Sequence, residues 1–260
     1  MRTKTPTAIA AALLGLSLAV AGCSSSSAPE SSTTESTKTV TVFAAASMKT
    51  TFTELGKTFE ASHAGTKVTF NFAGSQTLAE QITQGAQVDA FASANEANMK
   101  TVTDAGLNAA EPKIYATNVL EIAVPPDNPA GVASFADLAK KDVKVVVCAP
   151  AVPCGAATEK VEKATGITLS PVSEEQAVTD VLAKVQAGEA DAGLVYKTDV
   201  LSAGDTVKGV PFPESKEAIN KTSIVGLKGP QAALGQEFVD LVLSSDGQKV
   251  LATAGFGPAE

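Results

Sequence analysis

Residues 40–59 read VTVFAAASMKTTFTELGKTF, and the change of pattern inside this stretch decides the fold class. Val40 to Ala46 form a short apolar run of strand length. After Ser47, the residues Met48, Phe52, Leu55 and Phe59 recur at the spacing of one helix face. A buried strand therefore passes through a tight turn into an amphipathic helix. Working outward, the pattern returns. Val68, Phe70 and Phe72 alternate as a strand, and Ala73-Gly74-Ser75 turns into a helix carrying Leu78 and Ile82. Val88–Phe91, Val119–Val124, Val143–Val147 and Ala192–Tyr196 read as further strands. Helices are predicted over Asn95–Ala105, Phe135–Ala139, Gly155–Ala164 and a face bearing Val178, Val181, Leu182 and Val185 that ends at Gly188. The C-terminus from Ala232 to Ala254 reads as helix with a break near Ser245-Asp246-Gly247. Strands alternating with helices predict α/β architecture, with mostly parallel sheets covered by helices. No internal repeat stands out.

The chain has 260 residues, 44% of them hydrophobic and 18% charged, which suits a globular protein of one large or two smaller domains. Its net charge of -8 argues against nucleic acid as a partner, because phosphate binding draws on clustered Lys and Arg. Arg2 is the only arginine, so no guanidinium fork is available to the rest of the chain, and an oxyanion must be held by other donors.

Residues 1–22 read as a signal peptide. Arg2 and Lys4 supply its positive start, and Ile9 to Val20 an apolar segment too short to span a bilayer comfortably. Val20-Ala21-Gly22-Cys23 resembles the lipobox of bacterial lipoproteins, which implies lipidation of Cys23. Residues 23–38, rich in Ser and Thr, are a polar tether. Loss of residues 1–22 removes two positive charges, giving -8 - 2 = -10. The expected location is the extracytoplasmic side of the cell membrane, with the lipid as the sole membrane contact. In an exported protein, Cys148 and Cys154 are either a disulfide, with Pro150 and Pro153 turning the chain between them, or two free thiols.

In open α/β sheets, ligands gather beyond the carboxyl ends of strands, where the next helices begin. Two such junctions carry a serine, Ser47 and Ser75, each preceded by small residues. Each serine is either a plain N-cap or a hydroxyl and N–H pair offered to an anion together with the helix N-terminus. Tyr196 ends a strand, as a packing aromatic or as a hydroxyl donor. His63, Asp89 and Glu96 read as an exposed histidine and as turn or capping groups. With one His and no nucleophile motif, an enzyme is the disfavoured reading.

The ordered set TVFAAASM, FNFAGSQTLAEQI, VDAFASAN, VPCG, EEQAVTDVLAKVQAGEADAGLVY and GFGP resembles the molybdate-binding components of ABC importers, over essentially all of residues 39–260. That resemblance implies a two-lobed type II periplasmic-binding-protein fold: residues 39–119 and 222–260 in lobe 1, 120–221 in lobe 2, and two hinge crossings near 118–122 and 220–225. It implies molybdate or tungstate held through Ser47, Ser75, Cys154, Val178 and Tyr196, with no direct metal ligand and no cofactor. Its expected partner is an ABC permease, and a monomer is expected. At Cys154 the family often has Ala, a change that spares a main-chain donor. Molybdate and tungstate are fully deprotonated dianions near neutral pH and suit neutral donors, whereas phosphate keeps a proton and calls for an acceptor. Sulfate, also an unprotonated dianion, is the rival ligand. Affinity for a dianion on neutral donors is expected to change little between about pH 6 and 8.

Overall fold

The computed structural model describes residues 37–259; the expected signal segment, Cys23 and nearly all of the tether lie outside the described residues. Two five-stranded sheets carry the fold. In the first, β1 (Lys38–Ala45) runs parallel between β2 (Thr66–Ala73) and β3 (Ala90–Ser93), while β10 (Asn220–Gly226) lies antiparallel between β3 and the edge strand β4 (Lys113–Asn118). In the second, β6 (Val145–Cys148) runs parallel between β7 (Ser173–Glu175) and β8 (Ala192–Tyr196), and β5 (Leu120–Val124) lies antiparallel between β8 and β9 (Lys208–Val210).

The orders β2-β1-β3-β10-β4 and β7-β6-β8-β5-β9 follow one scheme. In each, the reversed strand is the one the chain enters from the other sheet: β5 follows β4 directly, and β10 brings the chain back. Each lobe is thus mostly parallel, and the two are built alike without a repeat visible in their sequences. β10 starts at Asn220 and pairs Asn220 with Asn118, so the return strand begins two residues before position 222.

Helices α1 (Lys49–Ser62), α2 (Ser75–Thr83), α3 (Glu96–Asp104), α7 (Ala232–Leu243) and α8 (Ser245–Thr253) cover the first sheet; α4 (Pro153–Thr165), α5 (Val178–Gln186) and α6 (Lys197–Ala203) belong to the second. The two-residue period of a strand divides the first lobe's core between the sheet faces. Val40, Val42 and Ala44 join Phe52, Phe59 and Phe238 on one face, while Phe43 joins Leu78 and Phe91 on the other. In the second lobe Val145, Val146, Leu194 and Val195 centre one cluster. That cluster also takes in Ala46, which belongs to the 3-10 turn Ala46–Met48 of the first lobe, so the lobes touch across the cleft.

The expected strand-turn-helix units at 40–59 and 68–82 are present, and Phe135–Ala139 is a 3-10 helix capped by Ser134. The C-terminal break falls at Ser244, whose hydroxyl accepts the Gly247 N–H at 3.1 Å to cap α8. Strands β4, β7, β9 and β10 and helix α6 were not expected from the pattern. No helix among the described residues is long and apolar enough to cross a membrane.

Candidate functional site

The common scheme of the two sheets makes four strand-to-helix junctions correspond in pairs. Ser47 follows β1 as Cys154 follows β6, and Ser75 follows β2 as Val178 follows β7. All four residues, together with Tyr196 at the end of β8, line one cavity between the lobes, which holds about 200 Å³ of empty space. None of the twelve lining residues bears a formal charge; the rest are Ala45, Ala46, Ala73, Gly74, Ala94, Val152 and Pro153.

Neither serine is a helix cap. Ser47 lies within the 3-10 turn that precedes α1, Ser75 is the first residue of α2, and the residues before these helices make no side-chain capping bond. The starts of α4 and α5 are likewise uncapped. The first N–H groups of a helix have no partner inside it, and they carry the positive end of its dipole. α7 also starts without a cap, so the significance lies in the convergence of four such starts on one space. At α4 the first position is Pro153, which has no N–H, so Cys154 supplies the first free donor. Cys148 and Cys154 are joined as a disulfide, Cα to Cα 5.6 Å, which ties the end of β6 to that donor.

Three hydroxyls line the cavity, those of Ser47, Ser75 and Tyr196, and two of them already accept a hydrogen bond. Ser75 is fully buried, and its Oγ accepts the Ala94 N–H at 3.1 Å. Tyr196 Oη accepts from Asn220 Nδ2 at 2.7 Å. Burial, with the charge of Asp199 adding to it and the Asn220 bond opposing it, holds the Tyr196 phenol well above its ordinary range, so it keeps its proton. Asp199 is buried and accepts the Tyr196 N–H at 2.9 Å; burial raises its carboxyl to about 7 against that bond. It does not line the cavity.

The remaining candidates lie elsewhere. His63 stacks on Phe59 at 3.9 Å and bonds Glu237 at 2.8 Å. Asp89 accepts the Thr41 and Gln231 N–H groups at 2.8 and 2.6 Å, tying loops together, and Glu96 is exposed at the start of α3. Tyr115 donates to Met48 Sδ inside the first lobe's core, which leaves Tyr196 as the tyrosine at the cavity. The sequence reading missed Ala94, Asn220 and Gln76. Gln76 Nε2 donates across the cleft to Gln176 O at 3.0 Å. No local pattern marks these three; Tyr196-x-x-Asp199 does carry the spacing of a capping box.

The family model for bacterial extracellular solute-binding proteins matches residues 40–257. The molybdate-binding protein ModA of Mycobacterium tuberculosis H37Rv is 49% identical over 220 residues, 84% of each chain. Among solved structures, the periplasmic molybdate-binding protein of Azotobacter vinelandii matches with a TM-score of 0.73 at 18% identity, over 85% of this chain and all of that one. The sulfate-binding protein SubI of M. tuberculosis matches with a TM-score of 0.74 at 16% identity, over 86% of this chain and 88% of that one. Those two scores are nearly equal, so the backbone fold does not choose between molybdate and sulfate.

Proposed function

Because the chain belongs to the bacterial extracellular solute-binding protein family, we propose that it captures molybdate, and tungstate with it, between its two lobes and delivers the anion to an ABC permease. The observation that carries this reading is the convergence of four uncapped strand-to-helix junctions and the Tyr196 hydroxyl on one small cavity without a charged side chain. Backbone N–H groups at 46–48, 75–77, 154–155 and 178–179, with the hydroxyls of Ser47, Ser75 and Tyr196, form a shell of neutral donors around a compact dianion. Lobe 1 as residues 39–119 and 222–260 and lobe 2 as 120–221 then act as the two jaws. The molybdate-binding relative at 49% identity favours molybdate over sulfate.

On this reading the protein is not an enzyme and needs no cofactor; the anion is cargo, and molybdenum meets only oxygen. A lipid on Cys23 and the tether 23–38 hold it as a monomer on the outer side of the cell membrane. Calorimetric titration of the purified chain with molybdate, tungstate, sulfate and phosphate tests the assignment. Molybdate and tungstate should bind at least about a hundredfold more tightly than sulfate, a difference of about 2.7 kcal/mol. Equal or tighter sulfate binding would overturn the ligand and leave the family untouched.

A further inference from the structure

Asn220 opens β10 at the point where the chain returns to the first lobe, and it is buried. Its Nδ2 lies 2.7 Å from Tyr196 Oη in the second lobe and 3.1 Å from Ala94 O in the first. A carbonyl oxygen only accepts, so the amide must turn its nitrogen toward Ala94, and the second hydrogen of that nitrogen then points at Tyr196. The phenol oxygen is thereby an acceptor toward Asn220, and its own proton must go elsewhere. Among the described residues no protein acceptor takes that proton, while Tyr196 lines the cavity.

The same residue acts on the other hydroxyl. Ala94 N–H can only donate, and it donates to Ser75 Oγ at 3.1 Å, so Ser75 also has an occupied acceptor and a proton free for the cavity. One strut therefore runs from Ser75 through the backbone N–H and C=O of Ala94 to Asn220 and across the cleft to Tyr196. Each link has a fixed donor direction, and the direction at both ends is into the cavity.

We propose that Asn220 is a positioning residue that turns the Tyr196 hydroxyl into a donor toward the cavity, and so biases the site toward oxyanions that carry no proton. This rests on the oxyanion reading above. A hydrogen phosphate or hydrogen arsenate ion brings a donor of its own, and with the Ser75 and Tyr196 oxygens each already accepting a bond, the Ser47 hydroxyl is the one lining hydroxyl left unoccupied to receive it. Molybdate, tungstate and sulfate bring acceptors only.

The test is a double-mutant cycle in the whole chain, with molybdate affinity measured by calorimetry and thermal unfolding followed without ligand. Asn220→Ala should weaken molybdate binding about tenfold or more, and Tyr196→Phe about ten- to a hundredfold. The double variant should be no weaker than Tyr196→Phe alone, because Asn220 would act only through a hydroxyl that is already gone. Asn220→Ala should also narrow the preference for molybdate over phosphate, since the freed phenol can rotate to accept. Independent, multiplicative losses in the double variant, or an unchanged molybdate-to-phosphate ratio, would overturn the proposal. If Asn220→Ala does not fold, Asn220→Leu, which keeps nearly the same size, adds no charge and loses both donors, replaces it in the cycle with the same expectations. If the wild type prefers sulfate, the molybdate assignment fails, and the cycle run with sulfate still decides the role of Asn220.

Discussion

Asp199 is the residue that changes the chemistry expected of a site made of neutral donors. Its carboxyl is raised from 3.8 to about 7, chiefly by burial, with the Tyr196 N–H bond opposing the shift. Between those two pH values the folded chain holds a proton that the unfolded chain has released. This group's contribution to stability is therefore full below about pH 4 and is lost as pH rises through about 7. A dianion near Tyr196 would raise that carboxyl further, so binding takes up a fraction of a proton near neutrality. Molybdate affinity should fall about two- to fivefold from pH 6 to pH 8, the change that a half to one unit of added shift gives over that range. The nearly flat profile expected from the donors alone does not allow for this buried carboxylate. Asp199→Asn, which can still accept the Tyr196 N–H, should flatten the profile and raise the melting temperature at pH 8. Titrations across that range check both, and a flat wild-type profile would show that Asp199 does not sense the ligand.

At the scale of elements, the junction between β2 and α2 shows how closely the lobes approach. Gly74 has φ -59° and ψ 138°, a conformation open to any residue, so its lack of a side chain is not a matter of backbone strain. A Cβ there would instead collide with Gln176 O of the opposite lobe and with the Gln76 amide. Gly74→Ala should leave the unliganded melting temperature within about 2 °C while lowering molybdate affinity at least about tenfold, because the Gln76 amide can swing aside while the Gln176 carbonyl blocks the Cβ only when the jaws meet. Unchanged affinity would mean that binding does not need this approach. The same junctions explain what the sequence could reveal. β1–α1, β2–α2 and β8 are legible because a buried apolar run gives way to helical spacing inside one short window. β7 is Ser173-Glu174-Glu175, β9 is three residues long, and β10 opens on Asn220-Lys221-Thr222-Ser223; such strands are held by their neighbours, and their own pattern does not declare them. Four of the five cavity residues named from the resemblance lie on legible junctions or at the end of a legible strand, while Val178 opens a legible helix whose preceding strand, β7, is not. Asn220 and Ala94 are 126 residues apart, and Gln76 and Gln176 are 100 apart, so their pairings exist only once both sheets are built.

At the scale of the whole molecule, the charge and the site oppose each other. The chain without residues 1–22 has a net charge of -10, from -8 - 2, so at long range it repels the dianion it is proposed to hold. Affinity must then come from contacts made at close range, and these are divided between the lobes: Ser47 and Ser75 from one, Cys154, Val178 and Tyr196 from the other. Either lobe alone would leave half of the anion's oxygens to water, so the ligand has its differential affinity for the closed form. The structure is closed in this sense. Ala46 packs into the second lobe's core, Gln76 bonds Gln176 O at 3.0 Å, and Thr50 Oγ1 lies 2.9 Å from Ser202 Oγ. These links are mostly polar and lie at the cleft between the sheets, so they can open without unfolding a sheet. The unliganded protein in solution should therefore be more open than this structure, and saturating molybdate should reduce its radius of gyration. Gly74→Ala should remain expanded at molybdate concentrations that close the wild type. Small-angle scattering reads all three states, and a wild-type radius that ligand does not change would replace the two-jaw mechanism with a cavity already formed before the anion arrives.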